Sequence, residues 1–347
     1  MTSSGDREPA LAGLDQRAVT DWLLGLGPEI TAPLTFSRVG NGRSNLTFLV
    51  VDAAARRWVL RRPPLGPSLP SAHDVAREHR ILSGLHGTAV PIPAVRGFTD
   101  DPAVTDAPLM VMSYVDGLIV DSVDAAEAVP LDVRDRLGRT LARTLARVHE
   151  VDLEATGLDS LASHEPYAAR QLRRWRGQWD RSRTREAPGI DRLADLLEAV
   201  IPEQRELSLV HGDYHLLNVI ASPAGDEIRA VLDWELCTLG DPLADLGSLL
   251  AYWPEAADLG AGPFPIPLLA GFPSRADLAQ AYAEETGRDL SALPFWHALG
   301  LWKIAIIGEG VRKRAIDAGD EVGVGMLTTD YLGGLVAQAE AVASNVR

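Results

Sequence analysis

The sequence predicts an α+β chain of two lobes: a small N-terminal lobe with a five-stranded antiparallel sheet and one helix, and a larger, mostly helical C-terminal lobe. Three observations carry the prediction. Between residues 34 and 115, short β-branched and aromatic runs recur with turn residues between them. Beyond Gly117 the apolar residues change to three- and four-residue steps, as at Leu137, Leu141, Leu145 and Val148. One pair of strand signals, at 219–221 and 228–232, interrupts the helical part next to a loop dense in His, Asp and Asn. A chain of 347 residues is long enough for two such lobes, divided here as 1–115 and 116–347. No Pro- or Gly-rich linker lies between them, so residues 113–117 read as a hinge.

Each element has its own signal. Residues 1–12 read as disordered. Asp15 can cap a helix over 16–24, with Val19, Leu23 and Leu24 on one side and Gly25 and Gly27 beyond its end. Strands at 34–39 and 45–51 flank Gly40, Asn41 and Gly42, the residues of a tight hairpin tip. A third strand is expected at 57–61, followed by a rigid proline-rich loop over 63–70. A helix over 72–85 carries Val75, Ile81, Leu82 and Leu85 with Glu78 among its charges, and strands follow near 94–99 and 108–115. In the second lobe, helices are expected at 167–185, 191–200, 243–252, 275–286, 294–316 and 323–343.

Composition narrows the function. Lys and Arg total 33 against 48 Asp and Glu, a net charge of −15, which argues against a nucleic-acid partner because phosphate contacts need a basic face. The apolar runs near 247–253 and 298–307 are too short or too interrupted to span a bilayer, so no membrane partner is expected. The first residues show no apolar segment of the secretory kind, and the cytoplasm is the expected location. Cys237 is the one cysteine, which excludes an intrachain disulfide and reads as a small buried hydrophobe. Lysine occurs at 303 and 313, in neither case after a glycine, so a Gly-Lys-Ser/Thr phosphate loop is excluded. The sequence carries no signal of oligomeric state.

The densest chemistry lies at 209–220. Asp213 comes two residues after His211 and five before Asn218, and a second aspartate, Asp233, ends the strand signal at 228–232. Phosphoryl transfer uses such a set: one carboxylate to take the acceptor hydroxyl proton, and an amide and a carboxylate to hold magnesium on the phosphates. His211 reads as a brace for the loop, and His215 as either a brace or a wall of the site. Gly40, Asn41, Gly42, Ser44 and Asn45 can offer backbone N–H groups to phosphates. Arg61, on the third strand, can pair with Glu78 and touch a phosphate, with Arg62 as the neighbour that could take its place. Arg170, Arg173, Arg174, Arg176, Arg181, Arg183 and Arg185, interleaved with Trp175 and Trp179, form either a solvated helix face or a landing surface for an anionic, aromatic group such as the nucleotide part of coenzyme A.

The run His211-Gly-Asp-Tyr-His-Leu-Leu-Asn218, followed by Val231-Leu-Asp-Trp-Glu235, resembles the aminoglycoside phosphotransferase and choline kinase branch of the protein-kinase-like fold. Leu239-Gly-Asp-Pro242 and Ala244-Asp-Leu-Gly247 are similar to that branch too, and the resemblance covers residues 30–340. Leu60-Arg-Arg-Pro63, Arg174-Trp175 and the helix over 303–314 most resemble the subfamily also found fused to acyl-CoA dehydrogenases. The resemblance implies a bilobal kinase fold with ATP in the cleft and its adenine on backbone at Ser113, Tyr114 and Val115. It implies Asp213 as catalytic base, Asn218 and Asp233 as Mg2+ ligands, Arg61–Glu78 as the phosphate-positioning pair, and a small-molecule alcohol as acceptor. Arginine at 61 departs from the usual lysine, and Trp234-Glu235 replaces the Phe-Gly of protein kinases. No Ala-Pro-Glu segment follows, which argues against a peptide acceptor.

Two other readings stand beside this one. His211, Asp213 and His215 alternate as on a strand and could bind a transition metal, which would make a metallohydrolase. The missing lysine and thin glycine loop would suit a nucleotide-binding protein that transfers nothing. The acceptor stays open between aminoglycoside, choline-like, sugar and hydroxyacyl-CoA compounds. Glu235 and Asp241 favour a cationic acceptor, whereas the arginine-rich helix favours an acidic one.

Overall fold

The computed structural model describes residues 11–40, 45–65, 74–258 and 264–344. The chain divides into two compact units, the first running to Gly87 and resuming over Ile92–Asp116, the second holding Thr88–Pro91 and everything from Gly117.

The first unit contains α1 (Gln16–Leu26), β1 (Thr35–Val39), β2 (Leu46–Val51), β3 (Arg57–Arg62), α2 (Val75–Leu85), β4 (Val95–Thr99) and β5 (Leu109–Ser113). Asp15 caps α1 by accepting the N–H groups of Arg17 and Ala18. Helix α2 begins at Val75 rather than 72 because Asp74 is its cap, accepting the Arg77 N–H. The five strands form one antiparallel sheet in the order β1-β2-β3-β5-β4.

Register explains the core. Phe48 pairs with Leu60 and Leu60 with Val111, so one sheet face gathers these with Val50 and Trp58 against Val19 and Leu23 of α1. Side chains alternate across a strand, so Arg61 turns to the opposite face. There Arg61 Nε lies 2.8 Å from Glu78 Oε2 of α2. Arg62, buried, reaches the Gly13 carbonyl and sits 2.8 Å from Asp106 Oδ1. One residue of register separates two arginines that are neighbours in sequence.

The second unit contains α3 (Val123–Glu127), α4 (Leu131–His149), α5 (Tyr167–Ser182), α6 (Pro188–Ala199), β6 (Ser208–Val210), β7 (Val219–Ala221), β8 (Ile228–Val231), β9 (Thr238–Gly240), α7 (Leu243–Ala251), α8 (Arg275–Thr286), α9 (Leu293–Asp317), α10 (Glu321–Met326) and α11 (Thr329–Ala343). β6 pairs with β9 and β7 with β8, both antiparallel. The Thr88–Pro91 segment joins this unit because the Val231 N–H donates to the Pro91 carbonyl at 2.8 Å.

Helix α9 runs through the core and packs on α7 at very short range. A Cβ at Gly247 would lie 2.3 Å from the Trp296 carbonyl carbon, and one at Gly300 would lie 2.9 Å from the Gly247 oxygen. Only glycine at both points lets the two backbones meet.

Three differences from the sequence expectation have local causes. The single helix expected over 323–343 is two, because the Thr328 hydroxyl accepts the Tyr331 N–H and starts α11 afresh. Helix α5 stops at Ser182 because the Thr184 N–H turns to Glu309 of α9, 2.7 Å away, leaving the helical ladder. Helix α3 and strands β6 and β9 span 5, 3 and 3 residues, too short to show a period. Among the described residues no helix is long and apolar enough to cross a membrane.

Candidate active site

The site is built on the loop from β6 to β7. His211 is buried, with Nε2 2.9 Å from the Leu232 carbonyl oxygen and Nδ1 accepting the Asp213 N–H at 3.3 Å. Both ring nitrogens are thereby used on backbone. This corrects the transition-metal reading of His211, Asp213 and His215: among the described residues no group of three or more His, Cys, Asp or Glu could hold a metal ion.

Asp245 fixes the loop from below. Its carboxylate accepts the N–H of His211 at 2.6 Å and of Gly212 at 2.8 Å, and His149 Nε2 lies 3.3 Å from Oδ2. His149 Nδ1 in turn lies 2.8 Å from the Tyr282 hydroxyl. Burial pushes the Asp245 carboxyl upward, but the His149 hydrogen bond and the Gly212 N–H outweigh it and hold the group below the ordinary Asp value. Gly212 has φ +85°, and a Cβ there would meet the Leu236 oxygen at 2.7 Å. The loop needs glycine at that bend.

Asp213 keeps 28% of its side chain exposed, whereas the groups bracing the loop beneath it are buried. Asn218 Nδ2 donates to the Asp213 carbonyl at 2.8 Å and to its Oδ2 at 3.2 Å. His215 Nε2 lies 3.5 Å from the same Oδ2, while its Nδ1 accepts the Leu217 N–H at 3.2 Å. Burial raises the Asp213 carboxyl, but the His215 hydrogen bond and nearby positive charge, including Lys303, bring it below the ordinary range. Asp213 is therefore an ionised acceptor at neutral pH. Burial, followed by the Asp213 charge, pushes the Tyr252 phenol well above its usual value, so it stays a neutral hydroxyl.

The β7–β8 hairpin returns Asp233 to Asn218. Val219 pairs with Val231, and the Leu232 N–H donates to the Asn218 carbonyl at 2.8 Å. Asp233 follows with φ 65° and ψ 60°, a left-handed conformation that costs most residues energy and concentrates at functional sites. With Nδ2 of Asn218 turned to Asp213, the amide faces its oxygen the other way. An amide oxygen and a carboxylate on abutting backbone suit a hard cation such as Mg2+.

His215 and Tyr252 also line a cavity of about 230 Å3, with Leu217, Phe264, Ile266 and Asp121. Its rings are packed: His215 and Tyr252 centroids are 4.6 Å apart, and Tyr252 meets Phe264 edge-on at 4.7 Å. The wall is largely apolar. Asp241 contributes nothing there: buried, it accepts the Leu243 N–H at 2.9 Å, and it borders a separate cavity with Glu206 and Arg288. Burial pushes its carboxyl up to about 6. Cys237 is buried, as a small hydrophobe would be.

In the first unit, the residues singled out are placed unevenly. Arg61 and Glu78 are paired as described. Gly40 is exposed at φ 70°, and Asn45 is buried with neither amide atom hydrogen-bonded among the described residues. Asn41, Gly42 and Ser44 lie outside the described residues. The Ser113 N–H donates to the Ala94 carbonyl at 2.8 Å and the Tyr114 N–H to the Arg57 carbonyl at 3.3 Å. Sheet pairing thus uses two of the three N–H groups expected to meet adenine, and among the described residues no backbone bond is seen for the third, at Val115. Sequence reasoning missed His149, Tyr252 and Tyr282, and it quoted Asp245 within the Ala244–Gly247 run without giving it a role. Asp245 alone left a signal, as the single charge in an otherwise apolar helix.

A five-stranded sheet with two helices, then a helical unit carrying His-x-Asp-x4-Asn and a following aspartate, defines the protein-kinase-like class. The chain belongs to the phosphotransferase enzyme family, whose model matches residues 35–296. It is 34% identical over 316 residues to mouse acyl-CoA dehydrogenase family member 10, covering 87% of this chain and 29% of that protein. The chain therefore spans less than a third of that relative. An aminoglycoside phosphotransferase-like structure from Ralstonia eutropha superposes with a TM-score of 0.81 at 28% identity, covering 96% of this chain and 99% of the other. An amicoumacin kinase, solved in complex with AMP-PNP, Ca2+ and Ami, shares the fold at a TM-score of 0.57 and 16% identity, covering 95% of this chain and 93% of the other.

Proposed function

We propose that this chain is an ATP-dependent small-molecule kinase that moves the γ-phosphoryl group to an alcohol. The observation that carries the reading is Asp213: an ionised, partly exposed carboxylate held by Asn218 and His215 on a loop pinned to Asp245, beside a cavity. Asp213 orients the acceptor hydroxyl and takes its proton late in the step. Asn218 and Asp233 would hold Mg2+, which when bound with ATP neutralises phosphate charge. Arg61, held by Glu78, contacts a phosphate, with Gly40, Asn41, Gly42, Ser44 and Asn45 supplying amides and Val115 the adenine contact. The bound nucleotide analogue and divalent ion of the amicoumacin kinase support the same cofactors here.

The acceptor carries an apolar portion, because the cavity beside Asp213 is walled by Leu217, Tyr252, Phe264 and Ile266 and offers a polycation one carboxylate, Asp121. A hydroxyacyl compound suits it better than an aminoglycoside. Assay of ATP consumption with hydroxyacyl-CoAs, choline, sugars and aminoglycosides tests both statements. Asp213→Asn is expected to lower turnover by about 10²–10⁴-fold while leaving ATP affinity within a few-fold. ATP binding without transfer to any alcohol would establish a nucleotide-binding protein instead.

A further inference from the structure

The arginines of α5 sort into two groups. Arg173 lies 3.3 Å from Glu165, Arg176 lies 2.7 Å from Asp195 and 2.9 Å from Glu198, and Arg185, just past the helix, lies 2.9 Å from Glu309. Arg170 donates to the Leu239 carbonyl at 2.6 Å. Arg174 and Arg181 meet no carboxylate among the described residues, and neither does Arg314 of α9. These three converge. They wall one cavity of about 230 Å3 between α5 and α9, with Trp175, Gln178 and Gly310, and no acidic side chain lines it.

Such a cluster is anomalous in a chain of net charge −15, where carboxylates outnumber cations 48 to 33. Arg174 lies over the Trp175 ring, 5.7 Å from its centroid, so the cavity wall carries an aromatic face beside its charges. Like charges held together without a counter-charge repel, and an anion between them removes that repulsion. Guanidinium forks match the oxygens of a phosphate in pairs, and three of them match a group carrying more than one negative charge.

We infer that the cavity between α5 and α9 is a binding site for a small phosphorylated ligand of two or more negative charges, held by Arg174, Arg181 and Arg314. None of the residues assigned to phosphoryl transfer lines it, so the site stands whether or not that assignment does.

Titration of the metal-free full chain with inorganic pyrophosphate, followed calorimetrically, tests the site. Wild type is expected to bind, with affinity falling as salt rises. Arg174→Gln/Arg314→Gln should bind about tenfold more weakly or worse at an unchanged melting temperature, because both charges are exposed on helix surfaces. Arg314→Gln alone repeats the test should the double variant melt lower. Arg61→Gln should leave pyrophosphate binding in place. Equal affinity in wild type and the arginine variants, loss in Arg61→Gln only, or no wild-type binding at millimolar pyrophosphate would each overturn the assignment.

Discussion

At the scale of single residues, Asp245 is the group on which the loop geometry turns. It touches no predicted substrate, yet it receives two consecutive backbone N–H groups of the segment bearing Asp213. Removing one partner of a buried, hydrogen-bonded charge leaves the others unmatched, at a cost of about 3–5 kcal/mol. Asp245→Asn is expected to destabilise by about 3 kcal/mol at pH 7, measured by denaturant unfolding. The pH dependence has a definite sign. A carboxyl whose folded pKa is depressed contributes stability above its unfolded pKa and loses it as pH falls through the folded one. The gap between wild type and variant should be full at neutral pH and shrink below about 3.9, the ordinary Asp value. A gap independent of pH would contradict the depressed pKa.

Among elements, the contact of α7 with α9 decides where Asp245 stands. Gly247 follows Asp245 by two residues and touches the backbone at Trp296. A methyl group there must push the helices apart, and overpacking of this kind costs about 1–3 kcal/mol. Gly247→Ala is expected to lower stability by about that amount and to reduce turnover with it, since the loop follows Asp245. Gly333→Ala supplies the opposite sign: it lies within α11 with nothing inside 4 Å, so helix propensity should raise stability by about 0.5–1 kcal/mol. Thermal melts of the two variants check both directions. The sequence marked each helix by its apolar stripe but gave no distance between them. A glycine inside a helical pattern does not by itself reveal that a second backbone lies against it.

For the whole molecule, the proposed nucleotide binding is the property that ligand-induced stabilisation can test. A ligand that binds only the folded state stabilises it by about 2.7 kcal/mol at a hundred times its dissociation constant. Mg2+ with AMP-PNP should therefore raise the melting temperature, and EDTA should remove most of the rise. Asn218→Ala and Asp233→Asn should each abolish the part of the shift that depends on metal. A shift unaffected by EDTA or by either variant would remove both residues from the metal site. The chain spans under a third of the length of mouse acyl-CoA dehydrogenase family member 10.

What the sequence determined by itself is what neighbours in the chain can determine. The spacing of His211, Asp213 and Asn218 puts them in one loop, the 228–232 run ends in Asp233, and a strand at 57–61 carries Arg61, with Arg62 as the neighbour that could take its part with Glu78. All three follow from local geometry and period. Only the tertiary structure decided that Asp245 anchors the loop from 34 residues away, and that Arg185 meets Glu309 across 124. It also decided which arginines of α5 and the turn after it meet carboxylates. Such pairings depend on how closely helices approach, which is set by packing volume at Gly247 and Gly300, and no pattern within a single element encodes that distance.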